Sequence, residues 1–284
     1  MPRRDLSLSS TAAVLLALFS TGCGSPSERA ADAIVEKNAA ARGGLKAWRQ
    51  VNAMSLSGNL EAGVPRDPRK LAESYLRTRT ESKAEARRAR LHRTEVEAPK
   101  PVQLPFVMEL KRPRSSRLEV KFQGQTAVQV FDGSQGWKVR PFLGRREVEP
   151  YTDEELRLAS QQAELDGLLI DHAAKGNKVE LVGSEKVEGR DAYRLKVTLA
   201  TGQTRTVWVD AQTYLEVKVD GSRRLDGKPR QVFTTFRDYK PVDGLMVPHT
   251  LETTVEGVVG SEKILVNRVS LNTEVADARF SKPQ

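Results

Sequence analysis

One cysteine, Cys23, stands in 284 residues. That excludes an intramolecular disulfide and a metal site built on several thiolates. The three histidines, His92, His172 and His249, lie far apart and show no His-x-x-x-His spacing, so no metal ligand set is implied. There is no Gly-x-Ser-x-Gly elbow, no P-loop and no dinucleotide fingerprint, and hence no implied cofactor. Asp171-His172 with Asp166 can be drawn as an acid–base cluster. A helix-end cap and a surface imidazole account for the same residues. The apolar share of 38% suffices for a core but is low for an ordinary enzyme. These absences point to a non-enzymatic chain.

Charge is plentiful. Charged residues make up 29% of the chain and the formal net charge is +9. Such a surface attracts anionic lipid headgroups or nucleic acid. Nucleic acid is set aside because the N-terminus reads as an export signal. Arg3 and Arg4 precede an apolar stretch from Leu6 to Phe19, too short to span a bilayer, which ends in Ser20-Thr21-Gly22-Cys23. Residues 1–22 are read as the signal peptide. Small residues followed by Cys resemble a bacterial lipobox, with Ser20 where a Leu is usual, and imply lipidation at Cys23. Ordinary signal cleavage beside an incidental Cys is the alternative. One acyl chain binds a membrane marginally and several bind firmly. Gly24-Ser25 lacks the Asp that retains many lipoproteins in the inner membrane, which leans towards the outer membrane.

Residues 23–284 read as one mainly β (α+β) domain. Alternation is clearest in Val107 to Lys111 and Leu118 to Phe122, and Asp132-Gly133 marks a tight turn before a further strand, Gly136 to Val139. Other strands are expected at Ala53 to Ala62, Lys178 to Ser184, Asp191 to Leu199, Thr204 to Asp210, Tyr214 to Asp220, Arg230 to Lys240, Met246 to Val255 and Glu262 to Asn272. Helices are expected over residues 28–50, stopped once by Gly43-Gly44 and carrying Trp48 in its second piece, and over 152–169, capped by Thr152 or Asp153. About ten or eleven antiparallel strands cannot stay flat, and a curled sheet forming an incomplete β-barrel is expected, covered by two or three helices.

Residues 63–101 interrupt this order. Between Arg66 and Arg93 charged residues are dense and apolar ones few. The basic 66–93 segment reads as a surface insertion between strands or as an arm for anionic headgroups, at about 1 kcal/mol per cation near an anionic surface.

A family resemblance rests on Lys111-Arg112-Pro113 at a strand end, on Asp132-Gly133 followed by Trp137 and Pro141-Phe142, and on Asp277-Ala278-Arg279-Phe280 with Pro283. In these the chain resembles the periplasmic Lol-type lipoprotein carriers and receptors over most of residues 28–283. The resemblance implies a half-open barrel with a helical lid and an apolar cavity for lipoprotein acyl chains or other lipids. It implies that Arg112 holds the lid by bonding backbone carbonyls. Where the carrier has an aromatic residue shortly after this motif, the chain has Ser116, and the 63–101 insertion is not part of the carrier pattern. From alternation, Leu118-Val120-Phe122, Val128-Val130 and Val207-Val209, with Trp137, are expected to line the cavity, and residues 28–50 and 152–169 to form the lid. The expected protein is a monomeric periplasmic binder or carrier in lipoprotein sorting or lipid trafficking, tethered through Cys23 and touching the membrane through 66–93. An envelope sensor of the same fold and an envelope hydrolase are the alternatives.

Overall fold

The computed structural model describes residues 25–64, 102–141, 144–225, 227–258 and 260–284. The expected signal peptide, Cys23 and the 66–93 segment lie outside these residues.

Each helix begins where the sequence supplies a cap. Helix α1 (Pro26–Ala41) opens on a capping box, the Ser25 hydroxyl accepting from the Glu28 N–H while the Glu28 carboxylate accepts from the Ser25 N–H. It ends at Gly43-Gly44, both at positive φ, where the chain turns back into α2 (Leu45–Arg49). Thr152 and Glu155 form the same box at the start of α3 (Asp153–Gln162). The helix expected to reach residue 169 stops at Gln162. Residues 163–176 continue as successive turns, with Gly167 at a φ of 80°. Among the described residues no helix is long and apolar enough to cross a membrane.

Among the described residues thirteen strands form one antiparallel sheet: β1 (Ala53–Val64), β2 (Val102–Lys111), β3 (Ser115–Phe122), β4 (Gln125–Phe131), β5 (Gly136–Arg140), β6 (Arg145–Pro150), β7 (Lys178–Val187), β8 (Arg190–Thr198), β9 (Thr204–Asp210), β10 (Glu216–Leu225), β11 (Lys228–Val242), β12 (Leu245–Val255) and β13 (Ser261–Leu271). The count exceeds the ten or eleven expected because β4 and β6 stand as separate strands. The first strand also runs two residues further than expected, to Val64. The order is β6-β5-β4-β3-β2-β1-β13-β12-β11-β10-β9-β8-β7. Strands consecutive in sequence account for every pairing except β1 with β13, which joins the two ends of the described chain. Among the described residues the sheet ends at β6 and β7, which are consecutive in sequence. The sheet is therefore an incomplete barrel with one seam, and α3 and residues 163–177 connect its two sides.

Residues directly opposite on an antiparallel ladder share a face. Following the register places Leu118, Met108, Leu56 and Val269 on one face, continued by Leu60, Ile264, Leu251 and Phe236. The same face carries Thr234, Val219, Val207 and Leu195. All three helices pack on this inner face. Ala31, Ile34 and Val35 of α1 meet Val179, Leu195, Val197, Val207 and Val209. Trp48 of α2 meets Met54, Leu110, Leu245 and Val247. Ala159 of α3 meets Phe131. The outer face is covered at β1 to β5 by the C-terminal segment, whose Val275 and Phe280 pack on Ala53 and Val130.

Candidate functional site

The site has two parts, an apolar inner wall and a polar latch at one end of it. The wall is the portion of the inner face that the helices leave uncovered. On β1 to β3 it is formed by Leu60, Leu104, Phe106, Leu118 and Val120. Phe236, Leu251 and Ile264 face the same interior from β11, β12 and β13. Except for Phe106, which is 5% exposed, these residues are half-buried. Among the described residues, no packed cluster includes them. Each strand alternates, so one face can be greasy while the other carries Glu109, Arg117 and Glu119.

Register divides the expected lining residues. Leu118, Val120 and Phe122 lie on the inner face. Val207 does too, but α1 seals it at 1% exposure, and Val209 beside it is equally covered. Val128 and Val130 lie opposite Glu119 and Arg117, and Trp137 lies opposite Val130, so all three stand on the outer face. There they pack with Val275 and Phe280. The alternation within β4 is real. Its apolar side is the one that the C-terminal segment covers. Trp208 is likewise on the outer face, edge-on to Phe233, with the Lys218 ammonium over both rings at 4.4 and 4.2 Å.

The latch is centred on the end of β2. Arg112 Nε donates to the Val51 carbonyl at 2.7 Å and Nη2 to the Trp48 carbonyl at 3.2 Å. These are backbone carbonyls at the end of α2. Nη2 also donates to Asp166 Oδ2 at 2.7 Å. Asp166 is 1% exposed. Its other oxygen accepts from Lys175 Nζ, and its backbone carbonyl accepts from Arg42 Nη1 at 2.8 Å. Arg42 itself is buried, lies over the Trp48 ring at 4.4 Å and faces Glu216 at 3.4 Å. The Trp48 indole N–H closes the circuit by donating to the Arg42 carbonyl at 3.0 Å. Helix α2, the end of α1, the end of β2 and the segment after α3 are thus tied at one point. Beside it a hollow of about 610 Å³ is lined by Arg112, Pro113, Arg114, Glu164, Ala174 and Lys175.

Asp166 carries more of this arrangement than its sequence position suggests. Read along the chain it is an acid near a helix end. The signal that could have found it is the buried run Leu168-Leu169-Ile170 that follows, which must be held against the sheet. The imagined acid–base cluster does not converge. Asp171 is engaged by Arg49 through two hydrogen bonds of 2.7 Å, which lower its carboxyl below the usual range, and His172 Nε2 stands 3.9 Å from Asp32 of α1. Among the described residues no group of acids, histidines and cysteines could hold a metal ion.

Helix α3 crosses the seam. Glu155 binds Lys138, which points inward from β5, and Gln161 bonds Gln203 and Arg205 on the β9 side. Arg205 lies over Gly221, where the missing side chain leaves room for its guanidinium. Burial lowers the pKa of Arg205, and Asp220 opposes that shift.

No family model matches the chain, and no curated protein matches it. Solved structures do. A LolA superfamily protein from Nitrosomonas europaea superposes with a TM-score of 0.55 at 12% identity, covering 89% of this chain and 97% of that one. A putative outer membrane lipoprotein-sorting protein domain from Vibrio parahaemolyticus gives 0.53 at 13% identity, covering 90% and 97%. A DUF1329 family protein from Desulfovibrio piger gives 0.52 at 12% identity, covering 88% and 97%. At these identities the likeness is one of fold. The chain has the LolA-like architecture of a half-open antiparallel sheet with helices on its inner face.

Proposed function

We propose that this protein is a non-enzymatic binder and carrier of acyl chains, from lipids or lipoproteins, held against the inner wall of the half-open sheet. The observation that carries this reading is the uncovered apolar wall. Leu118 and Val120 on β3 and Phe236, Leu251 and Ile264 on β11 to β13 share the inner face, are half-buried and, among the described residues, belong to no packed cluster. An apolar inner face of this kind offers a surface for small apolar ligands. The polar latch fits the second requirement of a carrier, a cover secured by few groups.

The finer reading takes up the sequence features outside the described residues. Cys23 is the lipidation site after removal of residues 1–22. The basic 66–93 segment meets anionic headgroups, and the monomeric protein works in the periplasm at a membrane, the outer one favoured, in lipoprotein sorting or lipid trafficking. The fold likeness to the lipoprotein-sorting domain supports this context.

The test is native mass spectrometry of the domain from Ser25 onward, purified from cells and then mixed with a triacyl lipopeptide or with phosphatidylglycerol. A one-to-one adduct, or co-purified lipid, that is lost in Val120→Asp supports the reading. A clean protein mass across both lipid classes would overturn it.

A further inference from the structure

The inner face changes chemistry along β11. Strands alternate, so Phe236, Thr234, Val232 and Arg230 follow one another on the same side. Phe236 is opposite Leu251 on the apolar wall. The Thr234 hydroxyl shares a hydrogen bond of 2.9 Å with that of Thr253. Arg230 lies directly opposite Arg223 of β10. Apolar, hydroxyl and guanidinium groups thus succeed each other along one face.

The two arginines stand on a projecting ribbon. Among the described residues, β10 beyond Val219 has no ladder partner on β9, and β11 before Val232 has none on β12. Like charges directly opposite each other on an antiparallel ladder destabilise it. Little relieves this pair. Glu262 faces Arg223 at 3.4 Å, from a side chain that is 54% exposed. Among the described residues Arg230 has no hydrogen bond or ion pair. Its guanidinium lies beside Gly257, 3.3 Å from where a Cβ would stand. Glu256, the neighbour of Gly257, accepts instead from the Gln231 N–H at 3.3 Å.

A third guanidinium stands close by. Arg205 lies over Gly221, two residues before Arg223 on the same face of β10. Burial lowers its pKa, Asp220 opposes that shift, and the charge of Arg157 adds to it. Glu154 is held by Arg157 at 2.7 Å, and Asp220 stands 3.6 Å from Arg205. Asp220, Glu154 and Glu262 each face a cation of their own, and Arg230 is left over.

We propose that Arg223 and Arg230 form a site for the phosphate group of an amphiphile whose acyl chain lies on the adjoining wall. Two guanidiniums side by side present paired N–H donors that match phosphate oxygens. An anion between them also removes the repulsion across the ribbon. The hydroxyls of Thr234 and Thr253 fall between head and chain, where a lipid carries its glycerol and ester oxygens. This rests on the function proposed above and narrows its ligand to a phosphate-bearing lipid. Free phosphate has the same chemistry, and the experiment separates the two.

The experiment is isothermal titration of the protein with three probes, the lipids kept below their micellar concentrations. They are lauroyl lysophosphatidic acid, monolauroylglycerol, which has the same acyl chain and no phosphate, and inorganic phosphate. The native protein should bind the lysophosphatidic acid about tenfold tighter than the neutral lipid, the size of a charge-assisted hydrogen bond. It should bind inorganic phosphate far more weakly than either lipid. Arg223→Gln and Arg230→Gln should each remove most of the tenfold preference and leave monolauroylglycerol unchanged. Both residues lie outside the packed clusters, so the variants should fold. Arg224→Gln, on the outer face of the same ribbon, removes the same charge and should alter neither lipid. Equal native affinity for the two lipids, or equal weakening by Arg224→Gln and Arg230→Gln, would overturn the phosphate site and leave the acyl-binding reading intact. Inorganic phosphate bound as tightly as the lysophosphatidic acid would assign the arginines to free phosphate and overturn the headgroup proposal. Binding of neither lipid would overturn both readings.

Discussion

Glu155, in the first turn of α3, accepts two hydrogen bonds of 2.5 Å from the ammonium of Lys138, which points inward from β5. One carboxylate therefore ties the capping box of α3 to the inner face of the sheet. Burial acts to raise the pKa of Glu155. The hydrogen bonds from Lys138 and from the Thr152 N–H outweigh it, and the carboxyl sits below its ordinary value near 4.5.

The consequence is an acid-sensitive helix. A carboxyl depressed in the folded state stabilises it fully above the unfolded value, and that contribution is lost as pH falls through the folded value. Protection of the α3 amides, corrected for the intrinsic pH dependence of exchange, should fall as the protein is taken from neutral pH to below about 4.5, more than it does elsewhere in the protein. In Glu155→Gln the protection should be low already at neutral pH and change little with acid. Equal acid sensitivity in the variant would assign the effect to other carboxyls.

Trp48 joins the packing and the latch. It is 1% exposed, donates to the Arg42 carbonyl and supplies the carbonyl that Arg112 binds. Trp48→Ala should cost about 3–5 kcal/mol, from lost burial and the cavity left behind. Trp48→Phe, which keeps most of the ring and loses the indole N–H, should cost less. Urea denaturation midpoints of the two variants check the order.

The C-terminal segment offers a contrast of charge and packing. Arg279 forks between Glu109 at 2.7 Å and Glu119 at 3.0 Å, but its side chain is 41% exposed. Phe280, next to it, is 3% exposed. Exposed ion pairs are worth about 0–1 kcal/mol, whereas removing a buried Phe costs about 3–5 kcal/mol. Thermal or denaturant unfolding should therefore show Phe280→Ala far more damaging than Arg279→Ala. Added salt should narrow the small Arg279 effect further.

Much of this architecture is legible from local pattern, because turns and alternation are local. Asp132-Gly133, Gly43-Gly44 and the Thr152 cap fall where expected. Strand β6, Arg145–Pro150, is not legible because an edge strand of mostly charged residues carries little apolar signal. The face of β4 was not legible. Val128 and Val130 are as apolar as Leu118 and Val120, and the difference is that Val275 and Phe280 return from the far end of the chain to cover them. Helix α3 is shorter than the pattern implies because Leu165 to Ile170 continue an apolar stripe after the helix has ended. The role of Asp166 depends on its burial between Arg112 and Lys175, and no spacing along the chain encodes that.

The face assignment also yields a matched test of function. Val120 on β3 and Val128 on β4 are both half-buried valines on neighbouring strands. Val120 is opposite Phe106 and Ala127 and shares their inner face, whereas Val128 is opposite Glu119 and Val139 on the outer one. Replacing either by Asn removes a similar apolar area and keeps a strand-compatible backbone, so the two variants should lose comparable stability. Only Val120 contacts the proposed ligand. A buried valine contributes about 1.5–3 kcal/mol, so losing part of that contact weakens lipid binding by about tenfold or more in Val120→Asn. Val128→Asn should bind as the native protein does. Isothermal titration with octanoate, after confirming folding by near-ultraviolet circular dichroism, reads both. Equal weakening in the two variants would place the ligand elsewhere than the inner wall, because the two positions differ chiefly in the face they occupy.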